Sequence, residues 1–80
     1  MVQNRASQRR RVLKSASIAL DSGAVFSGTV RNLSETGACL EFAIPLDITE
    51  RVILSIPSDH IKRQCSVKWR TGTRVGVEFN

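Results

Sequence analysis

Five basic side chains crowd the first fourteen residues of the chain, Arg5, Arg9, Arg10, Arg11 and Lys14, with no acid among them. The chain as a whole carries twelve Lys and Arg against seven Asp and Glu, a formal net charge of +5. The seven remaining basic residues are therefore balanced, and the body from Ser15 onward is neutral. A segment of one sign on a neutral body is suited to an anionic partner. Arginine brings specific chemistry to that task, because its planar fork donates two parallel hydrogen bonds and its flat face stacks on rings. The run Arg5-Ala6-Ser7-Gln8-Arg9 sets two such forks four residues apart. A second polar group, Asn32-Leu33-Ser34-Glu35-Thr36-Gly37, puts an amide and a hydroxyl into a tight connection.

Other chemistries find no residues to carry them. Cys39 and Cys65 have no Cys or His around them at metal-ligand spacing, so no zinc site is encoded and the two read as small buried or half-buried thiols. His60 follows Pro57 in a loop without a second His or a nucleophile nearby. Asp21, Glu35, Asp47 and Glu50 are loop acids with no sign of a paired acid and base. The chain reads as a non-enzyme without a cofactor. No apolar run approaches the roughly 20 residues of a membrane-crossing helix, and the basic N-terminus has no apolar stretch behind it to act as a secretory signal. A cytoplasmic address without membrane insertion is the expectation.

The elements that must position these groups follow from the period-2 alternation of apolar residues. Eighty residues suffice for one domain with one small core. A basic arm over residues 1–14, flexible in isolation, precedes a body over residues 15–80. Ala16, Ile18 and Leu20 open the alternation, and Phe26, Gly28 and Val30 continue it. Ala38, Leu40 and Phe42 follow, then Val52, Leu54 and Ile56, then Cys65, Val67 and Trp69, and last Val75, Val77 and Phe79. Turn residues stand between them at Asp21-Ser22-Gly23, Asn32 to Gly37, Pro45 with Asp47, Pro57-Ser58-Asp59 and Thr71-Gly72-Thr73. Six short strands without a substantial C-terminal helix predict an all-β fold, a small six-stranded antiparallel barrel. Ile18, Val30, Leu40, Leu54, Val67, Trp69, Val77 and Phe79 are expected to point inward and fill it, so any ligand must bind outside. With no Tyr, and with three Phe and one Trp mostly on inward positions, no exposed stacking platform for nucleic acid is expected.

The R-x-x-x-R at Arg5 and Arg9, followed by Asn-x-S-x-x-G from Asn32 to Gly37, resembles the PilZ family. The closing run Val67-Lys68-Trp69-Arg70 to Arg74-Val75-Gly76-Val77-Glu78-Phe79 looks like that family's last hairpin, so the likeness spans nearly the whole chain. The hexapeptide is the more specific of the two signals. The resemblance implies a receptor for the bacterial second messenger cyclic di-GMP, with Arg5, Arg9, Arg10, Asn32, Ser34 and Gly37 as ligand-binding residues. Arginine forks match its phosphates and the O6 and N7 acceptors of its guanines. Asn32 and Ser34 would offer donors and acceptors to the guanine edge or ribose-phosphate, and Gly37 the backbone freedom that brings them together. Arg10 and Lys14 give an alternative register, with a lysine that cannot make the bidentate fork. The arm would order over the ligand and signal to a downstream protein partner. A PilZ-like interaction domain that does not bind the nucleotide is the alternative, and the turn would then be a connection whose side chains bond their own backbone.

Overall fold

The alternating segments form six strands that close on themselves. A computed structural model describes residues 10–48 and 51–80. Its strands are β1 (Arg10–Ala19), β2 (Val25–Leu33), β3 (Gly37–Glu41), β4 (Arg51–Ile56), β5 (Ile61–Thr71) and β6 (Arg74–Phe79). Every neighbouring pair is antiparallel, and the order around the closed barrel is β1-β2-β3-β6-β5-β4. The expected six-stranded antiparallel barrel is what the chain forms. Closure pairs the edges that an open sheet would leave bare.

The core is apolar throughout. Ile18, Val30, Leu40, Leu54, Ile56 and Val75 are fully buried, with Val67 and Phe79 packed partly buried against them. Each fully buried aliphatic chain of this size contributes roughly 1.5–3 kcal/mol relative to exposure. The long connection from β3 to β4 also feeds the core. Leu46 and Ile48, in the segment that Pro45 and Asp47 mark as a loop, are buried with the strand residues. Arg70 fastens this connection from β5, its Nη1 donating to the Leu46 carbonyl at 2.7 Å and to Asp47 Oδ1 at 3.4 Å.

Two strands start earlier than the alternation indicates. β1 begins at Arg10, ahead of Ser15, because Arg10 and Arg11 pair with Leu33 and Asn32 across a register shift between Arg11 and Lys14. The shift breaks the period and so hides the first turns of the strand from a pattern of two. β5 begins at Ile61, ahead of Cys65, since Ile61 to Gln64 pair with Ile56 to Ile53 while Lys62, Arg63 and Gln64 face solvent. Lys14 ties β1 to the 3-10 turn Pro57–Asp59: its Nζ donates to both carboxylate oxygens of Asp59 at 2.7 Å.

Both thiols are free and buried. Cys65 is 0% exposed, and burial raises its pKa above the ordinary 9.0. A thiol held protonated inside the barrel is a poor nucleophile. Native protein is therefore expected to resist alkylation at Cys65, whereas unfolded protein reacts. The same shift makes stability depend on pH. The folded state keeps the proton that the unfolded state gives up near pH 9.0, so stability is flat below that pH and declines as pH rises above it. Denaturant melts across the alkaline range check this, and a Cys65→Ala chain should lose that part of the slope.

Candidate ligand cleft at the Asn32–Gly37 turn

The connection from β2 to β3 is held together by one hydroxyl. Ser34 Oγ accepts from the backbone N–H of Thr36 and of Gly37, both at 3.2 Å, and donates within the same turn, with the Gly37 carbonyl at 3.3 Å. The Ser34 N–H donates to the same carbonyl at 2.9 Å, and the Phe79 N–H donates to the Thr36 carbonyl at 2.8 Å. The turn is thereby fastened to itself and to the end of β6. Ser34 spends its hydrogen-bonding capacity as a brace, the arrangement expected of a serine that bonds its own backbone.

Gly37 serves a different purpose from the one expected of it. The glycines with positive φ are Gly23 and Gly72, so Gly37 supplies no left-handed conformation. It supplies room: a Cβ there would collide with the Val77 carbonyl and come within 3.2 Å of the Glu78 Cα. β3 starts pressed against β6, and only hydrogen fits between them.

Beside the turn lies an open cleft of about 350 Å³, lined by Asn32, Ser34, Gly37, Cys39, Gly76 and Trp69 among others. Asn32, Cys39, Gly76 and Trp69 come from four neighbouring strands and stand in register, Asn32 opposite Cys39, Cys39 opposite Gly76 and Gly76 opposite Trp69. Bulges aim the two outer members of this row. β2 steps from Val30 to Asn32 while β3 steps only from Leu40 to Cys39, so Arg31 is the extra residue. Val30 and Leu33 then both stay buried, and Asn32 turns to the cleft. In β5 the step from Val67 to Trp69 answers the single step from Val77 to Gly76, leaving Lys68 extra. A bulge bends its strand and redirects side chains in this way.

Trp69 is accordingly corrected from a core residue to a cleft residue. It is 41% exposed, and its Nε1 edge rests on Gly76, where a Cβ would strike the indole. The expectation that no aromatic platform is exposed fails with it. The Asn32 amide has no hydrogen-bond partner among the described residues and remains available to a ligand, while the exposed part of the Trp69 ring offers a stacking surface. Trp69 was hidden from the sequence because strict alternation after Cys65 and Val67 points it inward, and the order Val67-Lys68-Trp69 carries no sign of the inserted residue.

Arg5 and Arg9 lie outside the described residues. Arg10 opens β1 opposite Leu33, and Arg11 pairs with Asn32, so the start of β1 lies next to the strand that carries Asn32. Lys14, the second member of the alternative register, is engaged by Asp59 and lines neither this cleft nor its neighbour. His60 is an exposed residue with φ 55° closing the 3-10 turn. No cluster of metal-ligating side chains occurs among the described residues, and no helix there is long and apolar enough to cross a membrane.

No curated protein matches the chain in sequence. The family model of the PilZ domain matches residues 3–80. PilZ domains are binding modules, and the family in general takes cyclic di-GMP. With the barrel, the Asn32–Gly37 turn and the cleft beside it all lying within the matched span, the chain belongs to the PilZ domain family.

Proposed function

We propose that this protein is a receptor for cyclic di-GMP that holds one half of the ligand in the Asn32–Trp69 cleft and closes the arginine arm over the other. The observation that carries this reading is the pairing of a partnerless amide and a half-exposed indole across an open cleft at the family's signature turn. A guanine stacked on Trp69 would place its polar edge within the same row as Asn32, which offers both a donor and an acceptor. A cleft of about 350 Å³ is at the small end of ligand sites and accommodates a single nucleotide better than a dinucleotide. The second nucleotide and the phosphates would then be met from outside, by Arg5 and Arg9 with Arg10 at the strand's root. Ser34 and Gly37 act through the turn they shape. The closed arm is the altered surface that a downstream protein partner would read, and a receptor for an intracellular messenger would work in the cytoplasm.

One observation favours the alternative of an interaction domain without nucleotide: the Ser34 hydroxyl, the family's signature hydroxyl, is already satisfied inside the turn. Isothermal titration of the intact chain with cyclic di-GMP separates the two readings. The receptor reading expects saturable heat, with Arg9→Ala about tenfold weaker through loss of a bidentate phosphate contact. An intact chain that gives no heat at high micromolar ligand leaves the interaction domain.

A further inference from the structure

A second cleft, of about 550 Å³, adjoins the first and shares Asn32 with it; its other walls are Val12, Leu13, Arg31 and Arg74. Two features of these walls are unused by the nucleotide reading. The first is electrostatic. Arg31 Nη1 and Arg74 Nε lie 3.6 and 3.7 Å from the same oxygen, Oε1 of Glu41, while the Thr73 hydroxyl donates to Oε2 at 3.5 Å. A well-made guanidinium–carboxylate bond measures about 2.7–2.9 Å. Two guanidiniums are thus loosely held by one carboxylate, donors are left over, and the cluster carries net positive charge. The second feature is apolar. Leu13 is 74% exposed, more than any other large hydrophobic side chain among the described residues. The register shift in β1 puts Val12 and Leu13 across from Arg31, where the ladder between Arg11 and Lys14 is interrupted.

An inorganic anion has no use for a leucine, and a nucleobase stacked on either guanidinium would leave Leu13 uncovered. Loosely paired, solvent-facing arginines beside an exposed leucine complement a peptide that carries carboxylates next to apolar side chains. We infer that this face docks an acidic, leucine-bearing segment of a protein partner. The incoming carboxylate competes with Glu41 for Arg31 and Arg74, and the partner's apolar side chain covers Leu13. The inference stands apart from the nucleotide reading, since none of these four side chains is assigned to the ligand there.

The test is an amide NMR titration of the full chain with acetyl-Glu-Leu-Glu-Leu-Glu-amide. Shifts should concentrate at Leu13, Arg31, Glu41 and Arg74. A peptide with lysine for glutamate, or glycine for leucine, should produce far smaller ones. Arg31→Ala and Arg74→Ala should each weaken the complex about tenfold. Glu41→Gln should tighten it severalfold, because the competing charge is gone. That gain is the discriminating signature, since a glutamate with only a structural role would give no change or a loss; the spectrum of each variant shows that it is folded. Absence of localised shifts at millimolar peptide overturns the inference, and so does a Glu41→Gln chain that binds no better. Shifts at these positions caused by cyclic di-GMP and not by the peptide would assign the face to the nucleotide instead.

Discussion

Replacing Gly37 with alanine is expected to lower the midpoint of thermal unfolding by roughly 10–25 °C, from a loss of about 3 kcal/mol in a domain of this size. The added methyl meets backbone, the Val77 carbonyl and the Glu78 Cα, not the pliant end of a side chain. Relief therefore requires β3 to move away from β6 at the first pair of their ladder, Gly37 opposite Glu78. The same movement would break the bond from the Phe79 N–H to the Thr36 carbonyl, so the signature turn is detached from the end of β6 along with the strand contact. A loss of this size is a large part of the roughly 4–12 kcal/mol that holds an 80-residue domain folded. Gly23→Ala is the informative control. Gly23 has φ +94° with nothing within 4 Å of a Cβ, so alanine there costs only local strain, roughly 1–2 kcal/mol. Thermal melts followed by circular dichroism compare the two. A Gly37→Ala chain that melts with the parent would mean that β3 and β6 do not approach as described.

Trp69→Ala is expected to weaken cyclic di-GMP binding between about tenfold and a hundredfold, the range that base–aromatic stacking energies imply. Its melting temperature should also fall, since more than half of the side chain is covered where the indole lies on Gly76, so the affinities are compared well below both unfolding midpoints. Gly76→Ala should act in the same direction without touching the indole's chemistry, because the new methyl displaces the ring from its seat. Trp69 is the chain's one tryptophan and there is no tyrosine, so intrinsic fluorescence reports on this cleft alone. Titration of the parent should quench the emission, and calorimetry on Trp69→Ala gives the affinity independently. Equal affinity in parent and Trp69→Ala would remove the stacking contact while leaving the receptor reading to its own test.

The barrel could be read from the chain because its core obeys a period of two almost everywhere. Ile18, Val30, Leu40, Leu54 and Val77 are buried as their alternation requires. The Asn32–Gly37 turn was equally legible, since its residue types are ones that close a tight connection. What escaped the sequence lies where the ladders slip. An extra residue at Arg31 and another at Lys68 leave the composition of their strands unchanged, yet they reverse which side chains face outward from that point on. Trp69 was misplaced for this reason, and β1 was begun too late for the related reason that its own shift falls before Lys14. Leu46 and Ile48 were missed because a loop with Pro45 and Asp47 offers no period at all, and only the folded chain shows that both side chains join the core. Gly37 was singled out on good grounds with the wrong cause, because sequence cannot distinguish a glycine needed for φ from one needed for space.

β1 joins β4 through three residue pairs, Ser17 with Ser55, Ile18 with Leu54 and Ala19 with Ile53, whereas β1 and β2 share eight. This short joint is the place at which the cylinder would unroll. In the unrolled six-stranded ribbon the freed pairs carry serine, alanine, isoleucine and leucine and no charge to discourage annealing to another ribbon, the charges of the two margins, Arg10, Arg11 and Lys14 on β1 and Arg51 on β4, lying outside them. Strand exchange between molecules, if the protein is stressed, would start along this seam.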